Sequence, residues 1–325
     1  MANIKEIARI AGVSVTTVSR VLNNHPYVKE DKRRAVLETV ERLNYSRNIN
    51  ALHLLKGRTQ IIGVILPMIN HSYFGVMMEG IAQEALKSGY QLMVSQTSYQ
   101  PEEEQRMLEM MRNKQIDGVI ICSRSLPLEH LEAYNPYGPI VLCEEIGPRP
   151  MSSVFLNHYQ CFQEGIRYLW NKGHSSIGYS ISRMEGPSSS RRYEAYCDMH
   201  EELGIPVNPS WIYDHCLDIE DGVLLVRRML EQADRPSALI VTSGQVAAGI
   251  LLEAGRQGLR VPEDLALISF DNMPISEVLG ITTMDNGIYT MGASAMSIAD
   301  ELIRGTTSSP MTKEIPFQLI ERSTA

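Results

Sequence analysis

The chain predicts a mixed α/β protein with a small all-helical head, and three observations carry that prediction. From Ile4 to Leu43 apolar residues recur at three- and four-residue spacing, the period of amphipathic helices. From Gln60 onward short apolar runs alternate with helix-length segments, the pattern of a doubly wound parallel sheet. That alternation restarts after about residue 158, so two α/β lobes in tandem are expected, with a cleft between them.

The head opens with Ile4, Ile7, Ala8 and Ala11 on one face of a first helix. Gly12 supplies the permissive backbone of an abrupt turn, and Ser14 can cap the next helix. Val18, Val21 and Leu22 form that helix's inward stripe, leaving Val15, Thr16, Thr17, Ser19 and Arg20 on its other faces. A short helix baring hydroxyls and one arginine can enter a DNA major groove, where arginine reads guanine by a two-toothed contact. An ordinary helical hairpin has the same spacing. A third helix is expected over about Asp31 to Leu43, after the turn-rich Asn23-Asn24-His25-Pro26. The linker Asn44 to Arg58 can coil into a short helix through Ile49, Leu52 and Leu55, ending at Gly57.

In the first lobe, Ile61 to Leu66 reads as a buried strand and Phe74 to Ser88 as a helix closed by Gly89. Strand Gln91 to Ser95, helix Pro101 to Asn113 and strands Val119 to Cys122 and Ile140 to Cys143 follow. The second lobe starts with helix Cys161 to Lys172, strand Ile177 to Ile181 and helix Arg192 to Leu203. A strand near Trp211, helix Gly222 to Glu231, strand Ala238 to Thr242, helix Gln245 to Gln257 and strand Leu265 to Phe270 come next. Helix Tyr289 to Arg304 is last. The serine run Gly186-Pro187-Ser188-Ser189-Ser190 reads as a flexible loop, although its amides and hydroxyls are of the kind that cradle phosphate.

Charge divides the chain in the same place. Residues 1–60 hold eleven Lys or Arg against five acids, a net +6 within a chain of −8, which leaves −14 for the remainder. A basic head attracts phosphates, and an acidic body is kept from sitting on DNA nonspecifically. No apolar run approaches the roughly 20 residues of a membrane span, and no secretion signal opens the chain. Five scattered cysteines without Cys-x-x-Cys fit reduced thiols, so a cytoplasmic location is expected. No P-loop, Gly-x-Gly-x-x-Gly, His-Glu-x-x-His or Gly-x-Ser-x-Gly occurs, and the eight histidines lack metal spacing. Neither an enzyme nor a cofactor is expected. His158 and His174 read as ordinary surface or loop residues.

The run Val13-Ser14-Val15-Thr16-Thr17-Val18-Ser19-Arg20-Val21-Leu22-Asn23 resembles the amino-terminal signature of the lactose and galactose repressor family. The likeness continues through Glu41-Arg42-Leu43-Asn44-Tyr45, Ile62-Gly63-Val64-Ile65-Leu66-Pro67, Ile116-Asp117-Gly118-Val119-Ile120 and Lys172-Gly173-His174. Arg235-Pro236-Ser237-Ala238, Val261-Pro262-Glu263-Asp264, Ser269-Phe270-Asp271-Asn272 and Ile281-Thr282-Thr283-Met284 extend it over almost the whole chain. Within the family it resembles the Gram-positive catabolite control proteins, particularly those of the B kind.

The resemblance implies a helix-turn-helix domain at 1–46 and a hinge helix and linker at 47–59. A two-lobed core like that of periplasmic binding proteins follows. Its first lobe is 60–158 completed by about 286–318, and its second is 159–285 completed by about 319–325. It implies a homodimer on a roughly palindromic double-stranded operator, acting as a repressor of carbon-source genes. By position Val15, Thr16 and Arg20 would read bases, while Ser14, Thr17, Ser19, Asn23, Tyr27 and Tyr45 would hold the DNA backbone. Leu54 falls where the family wedges a leucine into the minor groove; a plain helix–helix contact is its other reading. Tyr73, Phe74, Glu144, Arg192 and Asp271 fall at effector-binding positions, which suits a sugar or sugar phosphate.

Departures from the family pattern matter as well. Arg47-Asn48 replaces Pro-Asn before the hinge, and Leu52 replaces an arginine near the wedge. Ser243-Gly244 replaces an acid-bearing pair, although Ser243 can still cap the following helix. Catabolite control relatives take a serine-phosphorylated phosphocarrier protein as corepressor, docked partly on a basic residue that is Ser297 here. A transporter's solute-binding protein shares the two-lobed body, but the basic head and missing export signal argue against it.

Overall fold

The computed structural model describes residues 3–45 and 57–325, which fall into a small unit ending at Thr59 and a large one from Gln60 to Ala325. The proposed hinge helix and Leu54 lie outside the described residues.

In the small unit, α1 (Ile4–Ile10), α2 (Val15–Leu22) and α3 (Glu30–Arg42) enclose a core of Ile7, Ala8, Val18, Val21 and Val36. Gly12 takes φ +65° between the first two helices, a left-handed turn that a side chain would strain. The Ser14 hydroxyl accepts from the Thr17 amide at 3.1 Å, so α2 has the serine cap its sequence predicts. Arg33 ties the loop after α2 to α3 by donating to Asn24 Oδ1 at 2.8 Å and to the His25 carbonyl at 2.7 Å.

The large unit holds two six-stranded sheets. The first contains β1 (Ile61–Leu66), β2 (Gln91–Gln96), β3 (Gly118–Ile121), β4 (Ile140–Leu142), β5 (Ser152–Leu156) and β11 (Thr312–Ile315). Its spatial order is β11-β5-β4-β3-β1-β2, parallel throughout. The second contains β6 (Ile177–Ser180), β7 (Ile212–Tyr213), β8 (Ala238–Val241), β9 (Ala266–Ser269), β10 (Thr282–Asp285) and β12 (Gln318–Ile320). Its order is β12-β10-β9-β8-β6-β7, parallel as expected except at the edge, where β12 runs antiparallel to β10. A strand reached by the short link from β11 across to the other lobe enters its sheet from the opposite end.

Helices α4 (Ser72–Ser88), α5 (Pro101–Arg112), α6 (Leu128–Glu132) and α12 (Ile288–Arg304) belong with the first sheet's strands. Helices α7 (His158–Asn171), α8 (Pro187–Leu203), α9 (Ile219–Leu230), α10 (Gly244–Arg256) and α11 (Pro274–Val278) belong with the second's. Crossings between lobes follow β5, β10 and β11. Strands β5, β10, β11 and β12 were not legible as strands. Ser152, Ser153, Thr282 and Thr283 are buried yet polar; the hydroxyls of Ser152, Thr282 and Thr283 bond internally, as in Ser269 Oγ to Thr283 Oγ1 at 2.6 Å, while Ser153 bonds through its amide, to the Met311 carbonyl at 2.8 Å. The serine run is a second correction. It forms the first turn of α8, because Pro187 at the opening helical position gives up no needed amide and Gly186 supplies φ +119° before it.

Candidate functional site

Two surfaces concentrate the candidate residues, one in each unit. On α2 the helical period points Val18 and Val21 into the head's core and turns Val15, Thr16 and Arg20 outward. Val15 is 45 % exposed although its neighbours on the inner face are buried, an apolar side chain offered to solvent. Arg20 is exposed and forms no ion pair among the described residues, which leaves its fork of donors open. Around this face, the Ser14 and Thr17 hydroxyls bond each other at 2.9 Å at the helix's positive end. Asn23 Nδ2 donates to Ser19 Oγ at 3.4 Å. Tyr27 is 86 % exposed, beside the His25 ring at 5.8 Å. Tyr45 differs: it is half-buried against the head's core, its amide bonded to the Val40 carbonyl at 3.0 Å.

The second surface is a cleft in the large unit, at the carboxyl ends of the strands. Tyr73, Phe74, Glu144 and Arg192 all line it. Tyr73 and Phe74 sit in the first turn of α4 and meet edge to face at 5.2 Å. Burial holds the Tyr73 phenol well above its ordinary pKa, so it is a neutral donor. Glu144 follows β4 and is gripped by Arg124 Nε, while Arg124 Nη1 donates to the Leu126 carbonyl at 2.7 Å. Burial raises the Glu144 pKa, and Arg124 opposes that rise.

Arg192, two turns into α8, stacks its guanidinium over the Phe270 ring at 4.3 Å. Its Nη2 donates to His158 Nδ1 at 3.4 Å, and its Nε is buried without a partner. Asp271 does not line the cavity. It is wholly buried behind it, where Oδ1 accepts from the Gly244 amide at 2.6 Å and Oδ2 has no partner. Burial pushes its pKa up to about 7, against the pull of the Gly244 amide and of Arg192. Asp271 and Ser243, whose Oγ accepts from Val246 N at 3.3 Å, thus share the start of α10.

Several lining residues escaped the sequence. His158 is not an ordinary surface residue: its ring stacks on Phe270 at 5.8 Å and it lines the cavity. Burial first and Arg192 second hold it well below its ordinary pKa, so it is a neutral acceptor near pH 7. The available signal was its place, two residues after β5 ends, since ligands collect where parallel strands end. Arg183 and Tyr99 were missed too, and they face each other across the cleft with the guanidinium 3.8 Å from the ring centroid. Among the described residues no group of three or more His, Cys, Asp or Glu is arranged to hold a metal ion, and no helix is long and apolar enough to cross a membrane.

Comparison with known proteins matches both units. Residues 59–322 fit the family model of periplasmic binding proteins and the sugar binding domain of the LacI family, and residues 3–48 fit that of bacterial regulatory proteins of the lacI family. The chain belongs to the LacI family. It is a DNA-binding transcription regulator with an effector-binding core. The uncharacterized HTH-type transcriptional regulator YkvZ of Bacillus subtilis is 42 % identical over 325 residues, covering 100 % of both chains. Catabolite control protein B of the same organism is 37 % identical over 303 residues, 92 % of this chain and 94 % of the relative. The lac repressor dimer bound to operator and the anti-inducer ONPF shares the fold with a TM-score of 0.85 at 22 % identity, covering 99 % of this chain and 98 % of that one. A LacI-family regulator from Lactobacillus casei with bound glucose superposes with a TM-score of 0.74 at 24 % identity, over 82 % of this chain and 99 % of the other. These relatives are regulators, not enzymes, and the cleft offers this LacI-family chain polar groups for recognising a ligand.

Proposed function

We propose that this protein is a cytoplasmic repressor of carbon-source utilisation genes that binds a pseudo-palindromic operator as a homodimer. The observation that carries the DNA half is the outward face of α2, where exposed Val15, Thr16 and Arg20 stand over a buried valine stripe. Arg20 is suited to a guanine, Thr16 to a hydrogen bond at a base edge and Val15 to a thymine methyl. Ser14, Thr17, Ser19, Asn23 and Tyr27 are placed around that face to fix register on phosphates. Tyr45 is the weakest of these backbone contacts, because half of it supports the head's core. In this reading Leu54 wedges the minor groove at the operator's centre.

The core is the switch. A small polyol entering between Tyr73 and Phe74 of one lobe and Arg192 and His158 of the other would change the angle between lobes, and with it the spacing of the two heads. A coupling of roughly 1–3 kcal/mol shifts operator occupancy several-fold or more. The solved lac repressor, a dimer on its operator, and the glucose-bound Lactobacillus casei regulator support this reading by similarity of fold. Asp271 acts in it as a support for α10 and Arg192 rather than as a direct ligand contact.

Removing residues 1–58 tests the division of labour. Specific DNA binding in a mobility-shift assay is expected to vanish, with ligand binding by the core retained. Surviving operator affinity would place DNA recognition elsewhere.

A further inference from the structure

The cysteines are scattered along the chain, yet the fold sets two of them side by side. Strands β3 and β4 pair in parallel with Ile121 opposite Leu142, and the Cys143 amide donates to the Ile121 carbonyl at 2.8 Å. Continuing that register by one residue puts Cys122 opposite Cys143, each just past the end of its strand. Strand alternation turns both side chains to one face. Ile120, Cys122, Val141 and Cys143 share one core, whereas Ile121 and Leu142 belong to another. Neighbouring strands stand roughly 4.7–4.9 Å apart, within the span of about 4.4–6.8 Å between α-carbons that a disulfide bridges. Both thiols are free in this structure.

The same pair opens on the cleft. Among the described residues Cys122 and Cys143 are the only cysteines that line its cavity. They are 5 % and 8 % exposed, whereas Cys161 in the same core is 0 % exposed. At so little exposure a small oxidant reaches the two sulfurs and a bulky disulfide does not. The sulfurs also differ from each other. Cys122 beside it, first, and burial, second, hold the Cys143 thiol well above its ordinary pKa, so Cys143 keeps its proton. Cys122 is therefore the sulfur that attacks, with the Cys143 thiol next to it. Arg183 and Arg192 line the same cavity, and cationic surroundings favour a thiolate.

We propose that Cys122 and Cys143 form an oxidisable dithiol, which a small hydroperoxide entering the cleft converts to a disulfide that ties β3 to β4 and resets operator affinity. The Cys122 sulfur attacks the hydroperoxide, an S–O bond forms as the O–O bond breaks, and the leaving oxygen takes the Cys122 proton. The Cys143 sulfur then attacks the Cys122 sulfur. An S–S bond forms as the S–O bond breaks, and the departing hydroxide takes the Cys143 proton. Two thiols and one hydrogen peroxide thus give one disulfide and two waters, with two electrons passing from sulfur to oxygen. The same strand ends carry Arg124 and Glu144, whose ion pair stands beside the cavity that Tyr73 and Phe74 line. Drawing the strands together there reshapes the cavity, and the effect on DNA rests on the cleft being the effector site.

Hydrogen peroxide added to the reduced full-length protein tests the inference. Mass spectrometry of the non-reduced digest is expected to show peptides joined through Cys122 and Cys143, and dithiothreitol to separate them. In Cys143→Ser the sulfenic acid on Cys122 has no partner thiol, so dimedone is expected to label Cys122. Operator affinity, read by fluorescence anisotropy before and after oxidation, is expected to shift by about fivefold or more, and not to shift in Cys122→Ser. Peroxide that oxidises only the half-buried Cys197, or that joins either cysteine to a different one, would overturn the inference. So would the absence of dimedone label on Cys122. A Cys122–Cys143 disulfide with unchanged operator affinity would remove the switch and leave the proposed repressor standing. Failure of the repressor reading shows instead as no operator binding by the reduced protein, with the disulfide still read from the digest. If a variant does not fold, the wild-type digest decides the dithiol.

Discussion

Arg20 and Asp271 show how differently two charged residues are used in this chain. Arg20 stands free on the outer face of α2, so replacing it touches no packed neighbour. Arg20→Ala is expected to cost about 1–3 kcal/mol of operator affinity and to relax base preference at one symmetric pair of positions. Measured against a panel of single-base operator variants, an equal loss on all of them would make Arg20 a phosphate contact. Asp271 is buried, and its carboxyl titrates near about 7 instead of 3.8. A carboxyl raised by folding favours the folded state while protonated. Its contribution is therefore complete below 3.8 and is lost as pH rises toward about 7, with a slope of at most roughly 1.4 kcal/mol per pH unit. Asp271→Asn, which can still accept from Gly244, is expected to flatten that part of the stability-versus-pH curve. Parallel curves for the two proteins in denaturant titrations would show that Asp271 does not titrate there. The sequence pattern marked Asp271 by position, but its partner, the amide that opens α10, is supplied only by the fold.

At the scale of elements, α2 was legible because its period sorts inner valines from outer polar residues with no help from the rest of the chain. Its cap is local as well. Ser14→Ala removes the acceptor for the Thr17 amide and the hydroxyl pair at the helix start, and is expected to destabilise the head by about 0.5–2 kcal/mol. Thermal unfolding of the head followed by circular dichroism reads this directly; an unchanged midpoint would mean that water caps the helix as well as serine does. Strands β10 and β11 show the opposite case. Thr282 and Thr283 look like surface residues by hydropathy, yet they are fully buried: the Arg322 amide donates to the Thr282 hydroxyl, Thr324 accepts from the Thr282 amide, and Ser269 bonds the Thr283 hydroxyl. Strand β11 is exposed over most of its length, so no apolar alternation announces it. The start of α8 escaped for a related reason. Serines after a proline read equally as a loop or as a helix's first turn, and here the turn faces a cavity made by other segments.

At the scale of the whole molecule, charge is partitioned by function. The first sixty residues carry +6 and the remainder −14, so the head alone is attracted to a polyanion. The same partition bears on the serine-phosphorylated phosphocarrier protein, the second candidate switch. Ser297, which stands where the catabolite control relatives have a basic docking residue, donates to Glu301 at 3.4 Å, and one turn away Asp300 pairs with Arg304. Acids beside the docking position disfavour a phosphoserine. Adding the phosphorylated carrier is expected to leave operator affinity unchanged in a titration followed by fluorescence anisotropy, and a several-fold tightening would restore it as corepressor.

What the sequence determined by itself is everything that depends on neighbours along the chain: the helical periods, the capped and polar face of α2, the alternation of strand and helix, and the basic head on an acidic body. Tertiary structure decided which buried groups go without partners. His158, Arg183 and the turn at Gly186 become a ligand-facing set only because the two lobes approach each other. A residue's solvation and electrostatic surroundings come from segments far away in sequence, and local periodicity carries no record of them.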